Sequence, residues 1–531
     1  MQFIVSRFNK MLLLFNTLKY LKSKQIYYRL YYLLRKKIRR ATGFEYSYVY
    51  NYTRTTSLTF QDFIVSPNSF ESGAFTFLNL THTFNDSIDW NYSKYGKLWA
   101  YNLNYFDYLS QKDFCVDDGL SLINSFINDI NGNREGLEPF PISLRVINWI
   151  KFINKHDIRK QNIDASLHAQ FKVLMDNLEY QHMGNHLLEN SFSLLFGAYY
   201  FHDVVLYQKA KQILLCELNE QILPDGGHFE LSPMYHQLIL NRLLDCINLM
   251  MNNDLFNKDL LDIFIKNAER MLGWIRKITF RNGDIPLFND SANNIASTTQ
   301  VLDTYAEMLG VRGKEINLRE SGYQKINRSN YEMVVDVGRV GPDYTPAHAH
   351  SDTFNFELHM DNIPFIVDTG ISTYEKNQIR QNQRSTLSHN TVQIEDYEQT
   401  EVWGGFRVAR RAYVEGLKYD QNGMSASHTG YKRFGAIHKR GFAFNEKGIE
   451  IKDEVVSRRR FNCYSYLHFH PDVQIDLKGK CLFANSKKIV FKHAESVVIK
   501  DYEYAPEFNK TVSAKMVVSS FQDRLTTTII V

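Results

Sequence analysis

Apolar positions recur at three-and-four spacing through residues 119–130, 143–154, 165–180, 186–202, 204–221, 236–252, 258–278 and 298–309, with polar or glycine-containing turns between them. That spacing predicts eight or so helices of ten to twenty residues joined by short turns, which suits a helical toroid or solenoid better than a four-helix bundle. After Tyr323 the period changes. Alternating or short β-branched runs occupy 331–339, 353–360, 363–367, 390–395, 405–414, 449–455, 464–469, 488–500 and 525–531, punctuated by Asp361-Asn362, Asn422-Gly423 and Lys478-Gly479. Many strands without interleaved helices form an antiparallel sandwich rather than a parallel sheet. The chain therefore divides into residues 1–90, an N-terminal extension with a connecting segment; 91–322, helical; and 323–531, an antiparallel β-sandwich.

Between residues 11 and 40 the pattern is amphipathic, with Leu18, Leu21, Ile26, Tyr27, Leu30, Leu33 and Leu34 set among Lys and Arg. Met1 to Gly43 holds eleven basic residues and no acidic one, so against an overall charge of +4 the rest of the chain stands at −7. Such a helix, or helix pair, suits an anionic membrane surface as well as it suits packing on the body. No nucleic-acid-binding pattern accompanies the charge. Met11–Phe15 is too short to span a bilayer, and no small-residue cleavage site follows it. Five scattered cysteines without CxxC spacing read as free thiols in a reducing compartment, which gives a cytoplasmic expectation with a membrane-surface or exported placement as alternatives. The 32 Tyr and 37 Phe suit a carbohydrate groove, although they also fill cores.

Three stretches could carry chemistry. In Asn185-His186-Leu-Leu-Glu189-Asn190, a helix starting after Gly184 places His186, Glu189 and Asn190 on one face, where a carboxylate can orient an imidazole. An N-capped helix with a solvated polar face explains the same residues. Between Pro224 and His236, prolines and glycines shape a loop dense in Asp, His, Glu and Tyr, and Tyr235 stands where the next helix opens. In His348-Ala-His350, an extended backbone sends the two imidazoles to opposite faces. His350, Asp368 and His389 fall near strand ends about twenty residues apart, a set that could bind zinc or form ordinary hydrogen-bonded pairs.

Together with Leu98–Tyr108, Glu138–Trp149 and the run from His348 to about Arg411, these segments resemble the heparinase II/III-like polysaccharide lyases. The resemblance implies an incomplete α/α toroid followed by an antiparallel β-sandwich, and β-elimination on a uronic-acid-containing glycan. By the same resemblance Asn185, His186 and His348 clamp the uronate carboxylate, and Tyr235 protonates the leaving oxygen. The base is Tyr235, His186 or His348. Glu189 orients His186, while Asn190, Arg145, Trp149, His236 and Arg384 support or bind sugar. A structural divalent metal, zinc, sits on His350, Asp368 and His389. The basic N-terminus with Gln25–Leu33 looks like relatives found beside capsule or O-antigen assembly genes. Two other readings stay open: a toroidal glycoside hydrolase using Glu230 and Asp290, and a glycan-binding or assembly protein without turnover.

Overall fold

The computed structural model describes residues 2–48 and 54–531; residues 49–53, inside the expected connecting segment, lie outside the described residues. Two helices open the chain, α1 (Gln2–Leu18) and α2 (Ser23–Thr42), followed by a small antiparallel sheet of Phe70–Glu71, Ala74–Phe77 and Leu80–Thr83. The helical domain then comprises α3 (Lys97–Tyr105), α4 (Val116–Asn128), α5 (Pro139–Lys155), α6 (Gln161–Asp176), α7 (Gly184–Phe201), α8 (Val204–Gln221), α9 (Pro233–Asn252), α10 (Asp259–Ile278) and α11 (Thr299–Met308). Helices α3, α5, α7, α9 and α11 pack each on the next, while α6, α8 and α10 pack outside them. Alternation of inner and outer helices is the two-layered winding of an α/α toroid. An inner helix has protein on all sides, which is why α7 is apolar nearly all round and buried along almost its full length.

Strands begin at Tyr323. An eight-stranded antiparallel sheet runs in the order Val414–Tyr419, Gly423–His428, Ala436–Asn445, Gly448–Ser457, Arg524–Ile530, Lys487–Lys492, Cys481–Ala484, Ile475–Lys478. Two four-stranded sheets face it. One contains Ser496–Glu507, Lys510–Phe521, Cys463–His468 and Val392–Ile394; the other contains Tyr323–Asn327, Tyr331–Asp336, Phe356–Met360 and Ile363–Ile366. A single apolar cluster, including Phe356, Leu358, Phe442, Ile451, Cys463, Leu482, Ile489 and Val517, fills the space between these sheets. One expected strand, 405–414, is instead a hairpin of two-residue strands, because Gly404 and Gly405 adopt positive φ and turn the chain back. The loop between Asp336 and Phe356 leaves the sandwich toward the toroid and carries both histidines of the H-x-H stretch.

Candidate active site

Two helix starts and one sandwich loop meet at the domain boundary. Met183 and Gly184 both take positive φ, a sharp reversal that sets Asn185 and His186 on the first turn of α7. A Cβ on Gly184 would lie 2.9 Å from Glu230 Oε1, so that position needs glycine for space as well as for conformation. Helix α9 begins with Pro233 after an N-cap Ser232, whose hydroxyl accepts the Tyr235 N–H at 3.3 Å, fixing Tyr235 on the first turn. The positive ends of both helices thus face the same cleft, a setting that favours an anionic ligand.

Asp290, from the toroid segment between α10 and α11, organises the residues around the sandwich loop. Its Oδ2 accepts from His348 Nδ1 at 2.8 Å, its Oδ1 accepts from His350 Nε2 at 2.9 Å, and Arg380 forks onto both oxygens, with Nη2 at 2.6 Å from Oδ2. Burial opposes this charge, yet the Arg380 guanidinium and the two imidazoles hold the carboxyl well below the usual range. With His348 Nδ1 committed to the carboxylate, its Nε2 is the ring nitrogen turned to the cleft, toward Glu230. The Tyr235 ring lies over His348 at 4.0 Å between centroids, and its hydroxyl meets that of Tyr374 at 3.2 Å. Burial raises the Tyr235 pKa far above that of a free phenol, so the proton stays on the oxygen.

On the toroid wall, His186 is half-exposed, lies against the Phe140 ring and donates Nδ1–H to Glu179 Oε1 at 2.9 Å. Asn190 holds Glu179 from both sides, donating to Oε2 at 3.0 Å and accepting the Glu179 N–H at 2.9 Å. Desolvation works against a charged His186, but Glu179 outweighs it and carries the pKa above the ordinary histidine value. Glu230 joins the walls: Asn185 N–H and Nδ2 donate to it at 3.4 Å each, and its Oε2 stands 3.8 Å from His348 Nε2. Burial lifts the Glu230 pKa, against the pull of His348 and the Asn185 N–H.

Asn185, His186, Tyr235 and His348 therefore share one cleft, and several expected neighbours do not. Glu189, expected to orient His186, instead pairs with Arg242 at 3.2 Å; the carboxylate on His186 belongs to Glu179. Arg145, expected to bind or support sugar, is fully buried and spends its donors on Gln170, Asn104 O and Gly136 O, so it braces the toroid. Trp149 is buried between Phe106 and Phe126 rather than stacked in a groove. His236 donates to Met271 O at 2.9 Å, and burial drops its pKa to about 4. Arg384 is equally buried, tying Ala349 O to Gly405 O. Tyr374, Arg380 and Glu179 were not among the expected site residues, and Asp290 was expected only as a hydrolase acid; Tyr374, Arg380 and Asp290 meet partners 58 to 139 residues away. Asp290, one of two acids a hydrolase would use, is fully buried and saturated with partners.

The expected metal set is only partly gathered. His389 Nδ1 donates to Asp368 Oδ2 at 2.8 Å, and Asp368 also accepts from Asn355 and the Gly370 N–H. His350 Nδ1, His389 Nε2 and Asp352 Oδ2 are buried without a hydrogen-bond partner. Among the described residues no three His, Cys, Asp or Glu side chains are arranged so as to hold an ion.

Comparison with known proteins identifies the family. A model of the heparinase II/III N-terminus matches residues 142–315, and one of the heparinase II/III-like C-terminal region matches 312–531. The chain belongs to the heparinase II/III-like family. A heparin-sulfate lyase of Bacteroides stercoris is 27% identical over 258 residues, which cover 42% of this chain and 37% of that protein. One of Pedobacter heparinus is 25% identical over 259 residues, 44% of this chain and 38% of that protein. The match thus spans well under half the length of these relatives. The crystal structure of heparinase III superposes with a TM-score of 0.67 at 18% identity, covering 84% of this chain and 80% of that one, which establishes the shared fold of toroid and sandwich.

Proposed function

We propose that this family member is a polysaccharide lyase that cleaves a uronic-acid-containing glycan by β-elimination. The observation that carries the reading is the convergence of Asn185, His186 and Tyr235, from two toroid helix starts, with His348 from the sandwich loop, in a cleft whose two helix N-termini favour an anion. In the step, the C5–H proton passes to His348 Nε2 and its electron pair forms the C4–C5 double bond. The C4–O bond breaks, and Tyr235 gives its proton to the departing oxygen. Charge growing on the uronate carboxylate is met by His186, whose pKa Glu179 raises, and by the Asn185 amide. The heparin-sulfate lyases among its relatives act on a polymer of this chemical class, which supports the substrate assignment. The test is a panel of uronate polysaccharides followed for ultraviolet absorbance of the unsaturated product. Reducing ends without that absorbance would mean a hydrolase; no cleavage of any polymer, with glycan still bound, would mean a binding protein.

The reading includes a structural divalent cation, zinc, for which the unpartnered nitrogens His350 Nδ1 and His389 Nε2 are donors of suitable chemistry, with Asp368 orienting His389. Metal analysis of protein purified without chelator tests it, and a metal-free result overturns it. It also includes attachment to an anionic membrane surface. Ile26, Leu30, Leu33, Leu34 and Ile38 of α2 are exposed beside Lys36, Lys37 and Arg40. Among the described residues no helix is long and apolar enough to cross a membrane. The free thiols of Cys115, Cys216, Cys246, Cys463 and Cys481 favour the cytoplasmic side. Sedimentation with anionic but not neutral vesicles is the expected result.

A further inference from the structure

Helix α2 is apolar and exposed on one side, yet its other side is anchored on both domains. Gln25, Tyr28, Tyr32, Arg35 and Arg39 follow the helical repeat and form the stripe that faces the protein. Toward the toroid, the Tyr28 ring stacks on Tyr180 at 4.5 Å, Tyr32 donates to Leu178 O at 2.6 Å, and Arg35 and Arg39 meet Asp176 at 2.9 and 2.6 Å. Toward the sandwich, the end of α1 and the turn before α2 add contacts: Trp403 donates to Thr17 at 3.1 Å, and the Arg411 guanidinium lies 3.7 Å over the Tyr20 ring. Where the two sets of contacts meet, Lys22 pairs with Glu220 of the toroid while its ammonium sits 3.9 Å over the Tyr344 ring of the sandwich loop.

Gln25 lies at that junction and is 1% exposed on a helix otherwise open to solvent. Its Oε1 accepts the Lys22 N–H at 3.0 Å, closing the start of α2. Its amide nitrogen has two hydrogens and two acceptors: His182 O at 3.2 Å and Tyr344 O at 3.4 Å. His182 stands three residues before Asn185, and Tyr344 stands four before His348. One buried amide therefore joins the backbone turn that presents the toroid's carboxylate-binding pair to the loop that presents the sandwich's histidine. The two segments touch there, since a Cβ on Gly184 would lie 3.5 Å from Thr345.

We propose that Gln25 is a positioning residue for the cleft, and that α1 and α2 form a clasp holding the Asn185–His186 turn of the toroid against the His348 loop of the sandwich. Only the kinetic part of its test rests on the lyase reading. Gln25→Glu keeps the acceptor for the Lys22 N–H, and so keeps the helix start, but turns an oxygen toward two carbonyls. Gln25→Met keeps the length and removes every hydrogen bond. Hydrogen–deuterium exchange on the full chain is expected to quicken in both 182–186 and 344–348 in either variant. Tyr32→Phe, which removes a bond to the toroid alone, should leave 344–348 as in the wild type. On a cleaved uronate glycan, kcat should fall by about tenfold with KM little changed, because acid, base and clamp come from opposite walls. Wild-type exchange at 344–348 in both Gln25 variants, or an equal change in Tyr32→Phe, overturns the clasp. Altered exchange in a protein that cleaves no uronate polymer leaves the clasp standing and removes the lyase reading instead.

Discussion

Each wall of the cleft presents a histidine tied through Nδ1 to a carboxylate, and the two carboxylates are balanced differently. On the toroid wall Glu179 is held by a neutral amide, Asn190, so the imidazole of His186 is the charge that answers it. On the sandwich wall Asp290 already has a guanidinium on both oxygens, and two imidazoles share what remains. The first arrangement raises the pKa of its imidazole. The second holds the ring by Nδ1 and leaves Nε2 toward the cleft. An identical side-chain pair thus gains its role from whether a third group has already balanced the acid.

Removing the proton donor between the walls should have the largest effect. Tyr235→Phe is expected to lower kcat by about 10³-fold or more while glycan affinity holds, measured by product absorbance and by calorimetry. Next is Asp290→Asn, which leaves Arg380 buried without its counter-ion and frees the His348 tautomer. Activity should fall by roughly 10²-fold, and denaturant unfolding should show a loss of about 3–5 kcal/mol. Because the folded pKa of Asp290 is depressed, that part of the stability is present above the unfolded carboxylate value and is lost as pH falls through the folded one.

Glu179→Gln probes the other pair. His186 must be charged to receive the uronate, and Glu179 raises its pKa; the variant should move the alkaline limb of kcat/KM to lower pH and reduce activity by about tenfold near neutrality. An unmoved limb would mean that His186 does not act as the cation, and the contrast between the walls would fail. The smallest kinetic effect is expected from Arg145→Lys. It should cost about 1–3 kcal/mol of stability, through buried carbonyls left without donors, and leave KM unchanged.

Much of this was legible along the chain. The change from a 3.6-residue to a 2-residue period near Tyr323 is a local property, so helices and strands could be assigned before any contact was known. Asn185, His186, Tyr235 and His348 stood out because glycine, proline and N-cap residues announce helix starts and turns locally. Partners were not legible in the same way. His186 and Glu189 share a helix face on paper, but Glu189 is drawn to Arg242, 53 residues on, while the acid on His186 comes from the turn before the helix. Arg145 and Trp149 occupy a motif segment that looked like a groove, and the inner-helix position of α5 buries both.

The sequence alone determined which segments form the two domains and which side chains stand at their helix mouths, because period, capping and turn chemistry act within a few residues. Only the tertiary structure decided which carboxylate meets which histidine, and that one glutamine near the N-terminus touches both walls. Apart from Glu179 and His186, seven residues apart, such pairings depend on burial and on groups that reach one another across 58 to 319 positions of chain, and nothing in the local order of residues records them.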